Sequence, residues 1–206
     1  IETNKFIEKS TLVQRIHYFL NIYIETIMKF ARTFVVADLH LGHKGVCVFS
    51  AHNDSSKSMR PWDNIDDMNE AIVSNWNDTV TNEDRVFILG DVVINRRFLP
   101  LIAKLNAKRK ILVKGNHDNF RLEEYSQYFY DILGSYCYRD VIMTHIPVHP
   151  CQKERFLANI HGHLHDKKID DPWYKCVSLE QTNYRPIDID DILLTLETQH
   201  YKDEKT

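Results

Sequence analysis

Arg32-Thr33-Phe34-Val35-Val36-Ala37-Asp38-Leu39-His40-Leu41-Gly42-His43 is the stretch from which the fold can be read. After Arg32, residues 33–37 are β-branched, aromatic or small, without polar alternation, and 32–37 reads as a buried strand. Asp38 to His43 then forms a polar loop at the carboxyl end of that strand. Arg85 to Leu89 is a second apolar run, ending at Gly90-Asp91. Lys110 to Lys114 is a third, ending at Gly115-Asn116-His117-Asp118. Between the runs lie helix patterns. Met68, Ile72, Val73, Trp76 and Val80 share one face over 66–80, and 98–107 reads as a shorter helix. Strand, polar loop and helix in alternation argue an α/β fold.

Beyond residue 126 the pattern changes. Short strands are expected near 127–133, 135–139, 140–144, 158–161 and 174–178, with a final helix over 188–198. The first half makes crossover units and the second makes hairpins. Both deliver polar residues at strand ends, where open α/β sheets place their sites.

Composition sets the bounds. The chain has 206 residues, 43% hydrophobic, enough for one domain with a packed core. A net charge of −3 and a pI near 6.4 give no general pull toward nucleic acid or anionic lipid. The four cysteines, Cys47, Cys137, Cys151 and Cys176, form no CxxC pair, and no secretory signal is evident. Reduced thiols in a cytoplasmic protein are expected. Residues 1–27 carry Leu12, Ile16, Phe19, Leu20, Tyr23, Ile24 and Ile27 at helical spacing, but Lys9, Arg15 and Glu25 interrupt them, short of a membrane span. Two readings stay open. The segment is a packed N-terminal helix, or it is an upstream stretch and the working domain is 28–206, starting at Met28.

Five of eleven histidines fall on the strand-end pieces. Asp38 and His40 are two apart, and so are His163 and His165. On extended backbone, such residues point the same way and reach a common ligand. Asp91 follows a strand and a glycine, and its two oxygens suit a bridge between two ions. Asn116 adds a neutral carbonyl oxygen, and His145 follows the apolar run Val141-Ile142-Met143-Thr144. The sum is two carboxylates, four imidazoles, one amide and no thiolate. That mixture suits two divalent transition metals, Mn2+, Fe, Zn, Ni or Co, without choosing among them. His117 is left over, placed to protonate a leaving alkoxide. His43 and Arg60 are candidate substrate contacts. For each the bland alternative is local, a loop hydrogen bond for His43 and a surface arginine for Arg60. His161 stays outside the ligand set, and Trp62, Trp76 and Trp173 read as packing residues.

In this order the pieces D-x-H, G-D, G-N-H-D, H and G-H-x-H resemble the calcineurin-like metallophosphoesterase superfamily. Arg60-Pro61-Trp62 and Asn183-Tyr184-Arg185-Pro186 resemble a small bacterial and phage branch of it. The resemblance implies a four-layer αββα sandwich of two mixed sheets flanked by helices. It implies one ion on Asp38, His40, Asp91 and His165, and another on Asp91, Asn116, His145 and His163. It implies metal-dependent hydrolysis of a phosphomonoester or phosphodiester, with a metal-bridging hydroxide attacking phosphorus, His117 as the acid and Arg60 or Arg96 beside the phosphoryl oxygens. The partner would be a small phosphoester, a nucleotide among the candidates. The protein phosphatase branch reads G-D-x-V-D-R-G, whereas here Ile94 replaces the second aspartate in Gly90-Asp91-Val92-Val93-Ile94-Asn95-Arg96. That argues against a protein phosphatase and leaves the support of His117 open, with Asp118 adjacent. Two other readings stand beside the hydrolase. A nuclease needs an electropositive groove, which the acidic balance does not favour. A non-catalytic scaffold is expected to lose ligands, whereas the full set is present.

Overall fold

The computed structural model describes residues 32–52 and 54–203. The helix expected over 1–27 and the boundary at Met28 lie outside the described residues.

Two mixed sheets make the body. The first contains β1 (Thr33–Val36), β2 (Arg85–Ile88), β3 (Arg109–Val113), β4 (Asp131–Leu133) and β9 (Ile187–Asp188) in the order β4-β3-β2-β1-β9. Neighbours among β1 to β4 run parallel, and β9 closes the edge antiparallel to β1. The second contains β5 (Tyr136–Tyr138), β6 (Val141–Thr144), β7 (Ala158–His161) and β8 (Tyr174–Cys176). There β5 and β6 are antiparallel, and β6, β7 and β8 are parallel.

The continuous apolar reading of β1 follows from burial on both faces. Alternate side chains of a strand point to opposite sides. Phe34 and Val36 join Val86, Ile88 and Leu112 under the helical layer. Val35 and Ala37 join Phe87, Leu89 and Val113 against Val141, Met143 and Ile160 of the second sheet. The helical layer over the first sheet is α1 (Ile65–Asn77), which buries Met68, Ile72 and Trp76. Asn64 starts it, accepting from the Asp66 and Asp67 amides, and both aspartates favour the positive end of the helix. The last long helix, α3 (Ile189–Asp203), sends Ile189, Leu193 and Leu196 into the inter-sheet cluster. The fold is therefore the expected α/β sandwich of two mixed sheets with flanking helices.

Some elements differ from the sequence reading. The segment expected as a helix over 98–107 is a 3-10 helix, Arg96–Lys104, with Pro100 inside it. Proline offers no amide to a regular helical ladder. Residues 127–133 become a strand only at 131–133, because the Tyr128 and Phe129 amides fold back onto the Tyr125 carbonyl after the short helix α2 (Leu122–Tyr125). No helix among the described residues is long and apolar enough to cross a membrane. All four cysteines are free.

Candidate metal centre

Every expected ligand lies just beyond the carboxyl end of a strand: β1, β2, β3, β6 or β7. The route by which they converge differs from the extended backbone expected. Asp38 (φ 58°), His40 (φ 49°), Asp91 (φ 54°), His163 (φ 71°) and His165 (φ 54°) all adopt the left-handed region. Such residues cost about 1–3 kcal/mol each and persist only where surroundings over-determine them. Here the Asp38 amide donates to the Gly90 carbonyl at 3.1 Å and the His40 amide to the Asp91 carbonyl at 2.9 Å. The His163 amide donates to Asp38 Oδ2 at 2.8 Å. Left-handed residues alternate with ordinary ones, so 38 and 40 come to one side, as do 163 and 165.

Two glycines admit the carboxylates. A Cβ on Gly162 would sit 2.6 Å from Asp38 Oδ2 and 2.5 Å from the Ala37 Cβ, and one on Gly115 would collide with Asp91 Oδ1. Each carboxylate then has one fixed oxygen and one facing the centre. Asp38 Oδ2 accepts from Ser178 Oγ at 2.7 Å as well as from the His163 amide, while Oδ1 is buried and has no hydrogen-bond partner. Asp91 Oδ1 accepts from the His117 amide at 2.8 Å. Asp91 Oδ2 lies 3.7 Å from His40 Nε2 and 3.4 Å from His145 Nε2, between the two imidazoles.

Three imidazoles share one logic: Nδ1 is occupied and Nε2 is left for the centre. His145 Nδ1 meets the Leu89 carbonyl at 2.8 Å. His165 Nδ1 meets Glu180 Oε1 at 3.1 Å. His40 Nδ1 meets His43 Nδ1 at 3.3 Å, a pair in which either ring can donate. A hydrogen bond at one ring nitrogen selects the tautomer that offers the other to a metal. The His40 and His165 rings lie 5.0 Å apart, and the His145 and His163 rings 5.1 Å apart.

The donor set fits cations. His40 Nε2 and Asp38 Oδ1 are buried without partners, 3.9 Å apart. Asp38, His40 and His165 can converge on one ion, and Asp38, Asp91 and His145 on another. Asn116 Oδ1 lies 2.9 Å from His145 Nε2. His145 thus faces acceptors at both nitrogens, an arrangement satisfied only by a proton or a metal on Nε2. Without a metal its pKa rises to about 9, because the Asp91 hydrogen bond and the Asp38 charge outweigh burial, which alone would lower it. Burial pushes Asp38 up to about 6 against the pull of His165 and His145, and holds His40 well below its ordinary value.

Arg60 requires a correction. The expected phosphate clamp is fully buried, and its guanidinium is engaged internally. Nε donates to Glu180 Oε1 at 2.9 Å, and the two terminal nitrogens donate to the Leu39 and Asp38 carbonyls. Arg60 braces the Asp38–His40 loop and cannot reach a substrate. Arg96 pairs with Glu124 at 2.8 Å. Glu180 and Ser178 were missed by sequence reasoning. The one signal nearby was the pair of branch motifs, which meet in space as Trp62 packs edge-to-face on Tyr184, with centroids 4.6 Å apart.

His117 is exposed, its ring 5.7 Å from that of His40. Asp118 does not support it, because its oxygens accept from the Asp91, Val92 and Gly115 amides. His43 sits beside His40 as its hydrogen-bond partner, with part of its surface open. His161 is buried, with Nδ1 facing the Gly162 carbonyl, and joins neither ligand group.

A double sheet with carboxylate, amide and imidazole side chains gathered on its strand-end loops defines an α/β protein with a candidate metal centre. The chain belongs to the calcineurin-like phosphoesterase family, whose profile matches residues 31–200. It is 26% identical over 190 residues to an uncharacterized protein of Methanocaldococcus jannaschii, covering 82% of this chain and 94% of that one. A crystal structure of an Aquifex aeolicus protein of unknown function shares the fold, with a TM-score of 0.58 and 21% identity, over 78% of this chain and 97% of that one.

Proposed function

We propose that the protein is a dinuclear metal-dependent phosphoesterase acting on a small phosphomonoester or phosphodiester in the cytoplasm. One observation carries the reading: the Nε2 atoms of His40 and His145 converge on the same oxygen, Asp91 Oδ2, at 3.7 and 3.4 Å. Asp38, His40, Asp91 and His165 would hold one ion, and Asp91, Asn116, His145 and His163 the other. Two divalent transition metals, Mn2+ first, would supply charge neutralisation at the phosphoryl oxygens and a nucleophile at neutral pH.

The chain's own groups do the rest. Asp91 Oδ2 ties the two halves of the site, and the His117 amide on Oδ1 fixes its rotation. Glu180 and the Leu89 carbonyl keep the tautomers of His165 and His145. His117, exposed beside His40, is placed to give a proton to the leaving oxygen. The test is hydrolysis of bis-p-nitrophenyl phosphate and p-nitrophenyl phosphate with Mn2+. The wild type should turn over at least one of them, and Asp91→Asn should abolish that turnover. An Asp91→Asn variant with near-full activity would refute the scheme. A metal-loaded wild type inert to both esters would favour the scaffold reading.

A further inference from the structure

The loop after His43 carries a large aromatic side chain to the edge of the centre. Phe49 is 51% exposed, and Val48 beside it 64%. An exposed aromatic ring next to a polar centre offers a ligand a large rigid apolar surface. Its ring centroid lies 5.8 Å from that of His43, at 78°, and His43 lies 5.2 Å from His40. Phe49 is thus two ring steps from a metal-facing imidazole.

Its position is built. The Phe49 amide donates to the Gly45 carbonyl at 2.8 Å, and its own carbonyl accepts from the Met59 amide at 2.7 Å. Ser50 and Ser58 pair across the same hairpin, and the Ala51 amide reaches the Lys57 carbonyl. The hairpin is latched to the loop of His163 and His165: the His52 amide and Nδ1 meet the two Asp166 oxygens at 2.7 and 2.6 Å. Gly45 completes the arrangement. A Cβ there would stand 2.7 Å from both Phe49 Cζ and His43 Nε2, so a side chain at Gly45 would displace the two rings.

We propose that Phe49 is the platform on which the base of a nucleoside phosphoester stacks while the phosphoryl group lies at the Asp38–Asp91 centre. The inference rests on the phosphoesterase reading and names its substrate class. An aromatic face accepts any base, so the platform selects nucleosides over alkyl esters without choosing among bases. A net charge of −3 disfavours a long polyanion, which points to a mononucleotide.

The test uses the non-cleavable methylene phosphonate analogues of adenosine 5′-phosphate and ribose 5-phosphate, which differ only in the base. Each is titrated calorimetrically into the full chain loaded with Mn2+. The adenosine analogue should bind about 5- to 150-fold more tightly. Phe49→Ala should bring it to the level of the base-free analogue without changing the latter, and Phe49→Trp should keep the preference. Equal affinity of the wild type for both analogues, or a Phe49→Ala variant weakened equally toward both, overturns the platform. Hydrolysis is not used, so loss of turnover bears on the phosphoesterase reading alone.

Discussion

Glu180→Gln is the perturbation whose consequence the structure fixes most fully. The Glu180 side chain is 3% exposed, with Oε1 2.9 Å from Arg60 Nε and 3.1 Å from His165 Nδ1. Burial alone would raise its carboxyl, but Arg60 and His165 reverse that and hold it at about 2, against an ordinary 4.5. A difference of that size corresponds to about 3 kcal/mol of folding free energy. Breaking a buried ion pair by removing one partner costs ~3–5 kcal/mol by a separate route, so the two agree. At neutral pH the variant should lose about 3 kcal/mol, or ~6–12 °C in Tm for a domain of this size. The sign with pH follows from the depressed value. The contribution is complete above pH 4.5 and fades as the wild type protonates toward pH 2, so the gap between the two proteins should narrow over that interval. Urea unfolding of both chelator-treated proteins, at pH 7 and in steps below 4.5, measures it. A variant within ~0.5 kcal/mol of wild type at pH 7, or a gap that does not change with pH, would refute the reasoning.

Three further outcomes follow from the same geometry. The variant should also bind Mn2+ ~10–100-fold more weakly, because His165 loses the partner that fixes its tautomer; calorimetric titration reads this directly. Gly162→Ala should cost about 1–3 kcal/mol and lower metal affinity, since its Cβ meets the Ala37 Cβ and Asp38 Oδ2; unchanged denaturation and metal titration curves would count against the close approach. Metal uptake should release protons at pH 7.5, because His145, raised to about 9, is protonated in the metal-free protein. Affinity then climbs with pH, up to about 9, and titration in two buffers of different ionisation enthalpy shows the release; no release would contradict it.

The parts that sequence could show were those with local causes. Residues 32–37, 85–89 and 110–114 read as strands because burial on both faces leaves an apolar run inside their charged ends. The ligand residues read as a group because their chemistry stands out at strand ends. The manner of their convergence was hidden, since nothing in Asp38-Leu39-His40 announces that both flanking residues take left-handed backbone. Arg60 reads as a substrate contact or a surface group because an arginine is rarely buried without a partner visible in its neighbourhood of sequence. Only the fold brings Glu180, 120 residues away, beneath it. The two-residue strand β9 is too short to leave a periodic trace, and it exists through its pairing with Phe34 and Val35.

The central claim is a pair of cations joined by Asp91. Elemental analysis of the Mn2+-loaded chain, paired with its electron paramagnetic resonance spectrum, tests it most directly. Two ions per chain with an exchange-coupled spectrum, and loss of that coupling in Asp91→Asn, is the expected result. One ion or none, or two ions whose spectra are independent in the wild type, would contradict it.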